Sequence, residues 1–380
     1  MPRQEKPAEL QRSLPSSFYT EPSMLERERK ELFSRSWVCA GREEGLVEKG
    51  STKVIELFGE SIIVARLNDG SLRAHYNVCR HRGARICADD SKWGLSLRGG
   101  AMGEFIRCPY HQWTYGLDGR LVNAPHLSGT EGFDASSFGL YPVGVGVWGG
   151  FIFLKLNPEA DDIISRTLGE EIGPAPKRLG NYPLAKLKTA RTISYDVRAN
   201  WKVIAENYNE CYHCGGVHPE LCAVVPVFRS GAGLGLDWEN GVPHREGAWT
   251  YTFSGTTNRK PFDGLSEVEK VRHKGELIYP NLLLSMSAEH GAAFILSPLA
   301  PDRTRIEVLF LFDPEEMARD DFDPADAVDF WDITNRQDWA VCERVQKGMS
   351  SAVHDHGYYA PMEDDSLDIR RYIAAHIKDA

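Results

Sequence analysis

The sequence predicts an α+β protein of two unlike domains, and three observations carry the prediction. The chain has 380 residues, enough for two hydrophobic cores. From about Thr52 to Leu156 it runs in short alternating or β-branched stretches separated by tight-turn dipeptides, the mark of an all-β domain. After Asn157-Pro158 the composition shifts, and strand patterns then interleave with helical ones, which suits an antiparallel sheet with helices. We therefore expect an N-terminal helical segment at 1–40, an all-β domain at 41–160 and a mixed domain at 185–380, with the boundary inside 157–185.

Each element has its own signal. Helical spacing begins after Pro22 and continues to Phe33. Strands are expected at Val54 to Leu57, Ile62 to Leu67 and Arg73 to Val78, with Asn68-Asp-Gly70 as a hairpin turn. Asp118-Gly119 marks a second hairpin, and Val143 to Leu156 is further strand-like sequence. In the second half, Ala190 to Val197 and Ala248 to Gly255 read as strands, and Asn200 to Cys214 as a helix. Ala292 to Pro298 and Thr304 to Phe312 read as a hairpin across Ala300-Pro-Asp. A last helix opens at Asp323-Pro324, where aspartate suits an N-cap and proline the first turn, and it runs to about Gly348.

Charged residues make up 26% and hydrophobic residues 42%, the mix of an ordinary soluble chain, and no run is long enough to span a membrane. A net charge of -10 leaves no basic stripe to neutralise phosphates, so no nucleic acid and no membrane surface is expected as a partner. The N-terminus lacks the apolar core of a signal peptide, and a cytoplasmic location is expected. The eight cysteines then read as thiols or metal ligands rather than a disulfide framework.

The all-β half holds Cys79-Arg-His81 and Cys108-Pro-Tyr-His111, two thiolates and two imidazoles. Zinc accepts such a set. So does a [2Fe-2S] cluster with the cysteines on one iron and the histidines on the other. The order Cys-x-His then Cys-x-x-His, within Cys-Pro-Tyr-His-Gln-Trp-Thr-Tyr, identifies the Rieske motif. The 26 residues between His81 and Cys108 make a long loop, and Trp93 to Met102 reads as an insertion.

The mixed half holds His213 and His218, with Gly215 and Gly216 between them to break a helix and fold the second histidine back. Two histidines and a carboxylate form the facial triad of a non-haem Fe(II) oxygenase. On the last helix Asp338 lies in the middle of the stripe formed by Val328, Trp331, Thr334, Asn335, Val341, Cys342 and Val345, whereas Asp326, Asp329, Asp332 and Glu343 fall outside it. A core-facing carboxylate must be paired or metal-bound, so Asp338 is either the third ligand or a hydrogen-bonded core aspartate. On the wheel of Asn200 to Cys214, Lys202, Glu206, Asn209, Glu210 and His213 share one side, opposite Trp201, Ile204, Tyr208, Cys211 and Tyr212. Glu210 can thus accept a hydrogen bond from a ring nitrogen of His213. A zinc site of Cys211, Cys214, His213 and His218 is the competing reading.

Together with Asn200-Trp-Lys202, Gln337-Asp338, Cys342-Glu343 and Gln346-x-Gly348, these motifs resemble the oxygenase (alpha) subunit of the Rieske non-haem iron oxygenases, over about residues 30 to 350. The resemblance implies an N-terminal all-β Rieske [2Fe-2S] domain plus a catalytic domain with a curved antiparallel sheet closed by helices. It implies Cys79, His81, Cys108 and His111 on the cluster, and His213, His218 and Asp338 on mononuclear non-haem Fe(II). It further implies O2 and a small-molecule substrate, NAD(P)H used through a flavin or ferredoxin type reductase, and a homotrimer in which Glu210 bridges His213 to His111 of the neighbouring subunit. Glutamate within Asn-Glu-Cys-Tyr-His-Cys is similar to the branch that oxidises quaternary ammonium compounds by N-demethylation. Trp249, Tyr251 and Phe253, on one face of the expected strand, would then offer aromatic walls to a trimethylammonium head, or serve simply as core. Aromatic ring hydroxylation, O-demethylation and electron carriage without a mononuclear iron are the alternatives.

Overall fold

The computed structural model describes residues 10–87, 100–157, 167–231, 236–237 and 239–378. The chain divides into two compact units, Ser34–Ser165 and the combination of Met1–Phe33 with Arg166–Ala380. No helix among the described residues is long and apolar enough to cross a membrane.

In the first unit a six-stranded antiparallel sheet runs in the order Val38–Arg42, Phe151–Lys155, Pro142–Trp148, Leu72–Tyr76, Glu60–Arg66, Thr52–Leu57. The expected strands lie within a residue or two of these. At the Asn68-Asp-Gly70 turn, Gly70 has φ +86° and the Asp69 carboxylate accepts from Ser71 N at 2.8 Å. The strand-like stretch Val143 to Leu156 is itself a hairpin, turned at Gly149 and Gly150 with φ of +58° and +76°. A smaller four-stranded sheet, Gly100–Met102, Phe105–Arg107, Thr114–Gly116 and Leu121–Asn123, carries Cys108–His111 in its second turn. Most of the expected insertion, residues 93–99, lies outside the described residues, as do residues 158–166 of the expected boundary.

The second unit is built on a six-stranded antiparallel sheet, Lys188–Val197, Arg303–Phe312, His290–Ala300, Leu282–Met286, Arg272–Ile278 and Val242–Pro243. Leu282–Met286 is buried throughout, so it lacks the alternation that reveals a half-exposed strand. The strand expected at Ala248 to Gly255 does not form. There the chain closes on itself, Trp249 N donating to Gly255 O at 2.8 Å and Gly255 N to Thr252 O at 3.0 Å, with Gly255 at φ +79°. The last helix forms as Ala325–Met349, and the Asp323 carboxylate accepts from Ala325 N at 2.9 Å. Its buried side is shifted from the expected stripe, since Phe330 is buried and Val345 is 40% exposed.

The helix expected to reach Cys214 covers only Trp201–Tyr208. Asn200 caps it, its side-chain oxygen accepting from Lys202 N at 3.0 Å. Beyond Tyr208 the Glu210 carboxylate takes the backbone N–H groups of Tyr212 and His213, competing with the carbonyls that would continue the helix. Tyr212, expected on the apolar side, is 55% exposed, and Lys202, expected on the polar side, is fully buried.

The N-terminal segment belongs to this unit. Gln11–Pro15 pairs antiparallel with His356–Tyr359, and Pro22–Arg27 is helical, continuing in π-helical turns over Glu28–Phe33. Those turns place Glu28, 0% exposed, against Lys202 Nζ at 2.5 Å and Trp201 Nε1 at 2.9 Å. Leaving one partner of such a pair alone costs about 3–5 kcal/mol. One turn further along the short helix, Glu206 Oε1 accepts from the Tyr19 hydroxyl at 2.6 Å and the Tyr359 hydroxyl at 2.9 Å, so one carboxylate joins segments from both ends of the chain.

Burial outweighs those hydrogen bonds and the nearby Lys202, and it raises the Glu206 pKa from 4.5 to about 7. Between those values the folded chain holds a proton that the unfolded chain has released, so this contribution to stability is present at pH 5 and is lost as pH rises through 7. Glu206→Gln keeps an acceptor for both tyrosines and cannot ionise. In urea unfolding at pH 5 and pH 8, the variant should gain on the parent with rising pH by up to about 3 kcal/mol. An unchanged difference between the two pH values would show that Glu206 does not titrate in this range.

Candidate metal centres

In the all-β unit the two Cys-His pairs sit on turns that follow strands. Cys79 comes just after Leu72–Tyr76, where Gly83 N donates to Cys79 O at 3.0 Å, and Cys108 N donates to Trp113 O at 2.8 Å across the second turn. Gln112 supports that turn at φ +62°. Both cysteines are buried in a cluster with Ile106, Trp113, Tyr115 and Leu140. The His81 and His111 rings lie 4.5 Å apart, and His81 stacks on Trp113 at 5.0 Å. Hydrogen bonding from the adjacent Cys108 thiol holds the Cys79 thiol well below its ordinary pKa.

The donor set fits an iron–sulfur cluster. The two sulfurs adjoin each other, the imidazoles adjoin each other, and His111 Nδ1 is buried with no hydrogen-bond partner among the described residues. A buried ring nitrogen without a partner is costly unless it ligates a metal. Tyr115, which the sequence reading passed over, completes the surroundings. Arg80 N donates to its hydroxyl oxygen at 3.1 Å, which leaves the phenolic hydrogen for Cys79 Sγ at 3.3 Å. Its signal was strand alternation, which puts Tyr115 on the same face as Trp113.

In the second unit the loop after Trp201–Tyr208 and the long helix bring His213, His218 and Asp338 together. His213 Nε2 lies 3.1 Å from His218 Nε2 and 3.2 Å from Asp338 Oδ1, and His218 Nε2 lies 2.9 Å from Asp338 Oδ1. Three mutually adjacent ligands at roughly 2.1 Å from an octahedral ion stand about 3.0 Å apart, so the donor atoms fit one face of an Fe(II) coordination sphere. His218 is 1% exposed, and the His213 and Asp338 side chains are 15% and 17% exposed. Burial alone would lower the His213 pKa, but hydrogen bonds to Asp338 and Glu210 outweigh it and raise it to about 10. Burial would likewise raise Asp338, and the two histidines instead hold it below the usual carboxylate range.

Glu210 Oε1 lies 2.5 Å from His213 Nδ1. A carboxylate only accepts, so that contact puts a hydrogen on Nδ1 and leaves Nε2 facing Asp338 and His218, where it must give up its own proton before its lone pair can ligate a metal. Cys211 and Cys214 form a disulfide, contrary to the expectation of thiols or ligands. Their Cα atoms stand 4.9 Å apart, within bonding range. Joined to each other, the sulfurs are not the two thiolates that the competing zinc reading needs. Gln337, quoted in the sequence only as part of the Gln337-Asp338 motif and given no role there, has its Oε1 2.8 Å from His218 Nδ1.

The three aromatic residues expected on one strand face are dispersed. Tyr251 is buried and stacks on His273 at 3.9 Å, Phe253 is 53% exposed, and Trp249 is half-buried. Tyr251 instead joins Trp331 at 5.5 Å and Phe330 at 5.7 Å, both on the helix that carries Asp338. Trp331 precedes Asp338 by seven residues, about 10 Å along that helix.

Comparison with known proteins agrees with this arrangement. Residues 36–134 match the Rieske [2Fe-2S] domain, and residues 184–379 match the ring hydroxylating alpha subunit (catalytic domain). The chain is 31% identical to the glycine betaine monooxygenase oxygenase subunit of Chromohalobacter salexigens, over 92% of this chain and 82% of that one. It is 29% identical to the carnitine monooxygenase oxygenase subunit of Escherichia coli K12, over 89% and 84%. Among solved structures, a quaternary ammonium Rieske monooxygenase studied for inter-subunit electron transfer superposes with a TM-score of 0.72 at 22% identity, covering 97% of this chain and 96% of that one. Naphthalene 1,2-dioxygenase from a Rhodococcus species does so at 0.68 and 19% identity, covering 96% and 95%. An oxygenase catalytic domain excludes the reading of a bare electron carrier. With a Rieske-domain match in one unit and a catalytic-domain match in the other, the chain belongs to the Rieske non-haem iron oxygenases, as an oxygenase (alpha) subunit.

Proposed function

We propose that this chain is the terminal oxygenase of a monooxygenase that hydroxylates an N-methyl group of a quaternary ammonium compound. The observation that carries the reading is Glu210 against His213 in a chain whose relatives are named for glycine betaine and carnitine. The overall change is R3N⁺–CH3 + O2 + 2e⁻ + 2H⁺ → R3N⁺–CH2OH + H2O, after which the carbinol releases formaldehyde and a proton and leaves the tertiary amine.

Cys79, His81, Cys108 and His111 would hold the cluster, and His213, His218 and Asp338 the mononuclear iron. When bound, the cluster supplies single electrons and the iron activates O2. The protein's part is geometric. Glu210 orients His213, and its remaining lone pair can accept a hydrogen bond from His111 of a neighbouring subunit. We therefore infer a homotrimer served by a flavin or ferredoxin type reductase drawing on NAD(P)H. Tyr251 packs against Trp331 and Phe330, both on the helix that carries Asp338, and this buried aromatic cluster is the part of the unit suited to a methylated ammonium head. Of the other two aromatic residues expected here, Trp249 remains a candidate wall and Phe253 packs edge-on against Phe330 at 5.5 Å.

Three outcomes test this reading. Asp338→Ala should lower the iron content from about three to about two per chain while the visible spectrum of the cluster stays intact, and it should abolish oxygenation. Retained activity would remove Asp338 from the ligand set. Glu210→Ala should leave both metals in place and slow oxidation of the reduced cluster during turnover, read by stopped-flow absorbance. Unchanged electron delivery would refute the bridging role. With reductant supplied, betaines and carnitine should release formaldehyde and methoxylated aromatics should not, and the reverse pattern would favour O-demethylation.

A further inference from the structure

We propose that Glu220, acting through Gln337, sets the tautomer of His218 and so presents its Nε2 lone pair to the mononuclear iron. The proposal rests on reading His213, His218 and Asp338 as the iron ligands.

His218 Nδ1 lies 2.8 Å from Gln337 Oε1, and Gln337 Nε2 lies 2.8 Å from Glu220 Oε2. A primary amide next to an imidazole is ambiguous, because either end can face the ring and each choice implies the opposite tautomer. Glu220 removes the ambiguity. A carboxylate only accepts, so the amide NH2 must face Glu220 and the amide oxygen must face His218. That oxygen also only accepts, so His218 Nδ1 carries the hydrogen. In the neutral ring the lone pair is then on Nε2, the atom 3.1 Å from His213 Nε2 and 2.9 Å from Asp338 Oδ1.

Chain connectivity builds this relay into the site. Gln337 immediately precedes Asp338 on the long helix, so the backbone that places the carboxylate ligand also places the amide. Glu220 follows His218 by two residues, in the first turn of Pro219–Val224. The two histidines are consequently unequal. His213 Nδ1 donates to the charged carboxylate of Glu210, whereas His218 Nδ1 donates to a neutral amide. A carboxylate partner raises the basicity of its imidazole, and an amide orients the ring without adding charge. Gln337 and Glu220 are thus positioning residues, acting on the metal only through His218.

The test measures Fe(II) affinity at the mononuclear site by competition with a chelator, in full-length protein whose cluster absorbance reports an intact fold. Gln337→Leu should weaken binding by about 10–100-fold. Glu220→Gln should weaken it less, because the amide is then free to turn over. Gln337→Glu alone places two carboxylates face to face and should also lose affinity. Adding Glu220→Gln to it should recover most of that loss, since the new carboxylate accepts from both sides, and a purely structural role predicts no such rescue. The ligand-field spectrum of Co(II) bound at the site should change in Gln337→Leu and return toward the parent in the double exchange. Affinity within twofold of the parent in both Gln337→Leu and Glu220→Gln would overturn the proposal, as would failure of the double exchange to recover the loss. If Asp338→Ala kept full Fe(II) affinity, the ligand set would be wrong and the relay would fall with it.

Discussion

A single buried carboxylate, Glu28, holds the catalytic unit in register. One of its oxygens takes Lys202 Nζ and the other takes Trp201 Nε1, and neither Glu28 nor Lys202 is exposed at all. Two donors on adjacent residues satisfied by the two oxygens of one side chain leave little freedom for the start of the short helix, and a slip of one residue would strand a buried charge. Asn200 tightens the arrangement. Its N–H donates to Gln346 at the far end of the long helix, and its side chain donates to Tyr19 O and Pro301 O. The short helix, the long helix and the N-terminal segment are therefore tied together immediately before the loop that carries His213 and His218.

That tie explains how His213, His218 and Asp338, carried on unlike elements, meet within 3.2 Å. Asp338 rides on a long helix whose orientation is already fixed, whereas the two histidines flank a single helical turn, Cys214–Val217, in the loop that follows the short helix. The loop supplies its own order: Glu210 spans back to the N–H groups of Tyr212 and His213, Cys211 is bonded to Cys214, and His218 N donates to Cys214 O at 2.9 Å. Rigidity is thus distributed unevenly. The helix contributes position, and the loop contributes orientation through side-chain hydrogen bonds.

Much of this was legible in the sequence, and the failures have identifiable causes. The two Cys-His pairs, the histidines beyond the helix and the core-facing Asp338 stand out because metal ligands are chemically restricted and their spacing is local. The strands of the all-β half were visible because short β-branched runs are set off there by tight-turn dipeptides, even where, as in Phe151–Lys155, burial is uniform. Leu282–Met286 was hidden by uniform burial, and Ala248 to Gly255 misled because Tyr251 and Thr252 are buried by tertiary contacts, not by a pleat. The helix end at Tyr208 depended on a carboxylate bonding forward to backbone, which periodicity does not register. Gln337 was noted without a role and Glu220 was passed over, because their significance depends on an amide seen from both ends, a three-dimensional fact.

The pairing of Gln11–Pro15 with His356–Tyr359 also bears on how the protein is made. The chain that forms Ser34–Ser165 is complete long before the ribosome reaches residue 356, so that unit can fold as synthesis proceeds. The first strand, Tyr19 and Glu28 must meanwhile wait for partners encoded much later. The catalytic unit is therefore assembled last, after the other unit is complete, and early termination of translation would release the electron-transfer half without an oxygenase attached.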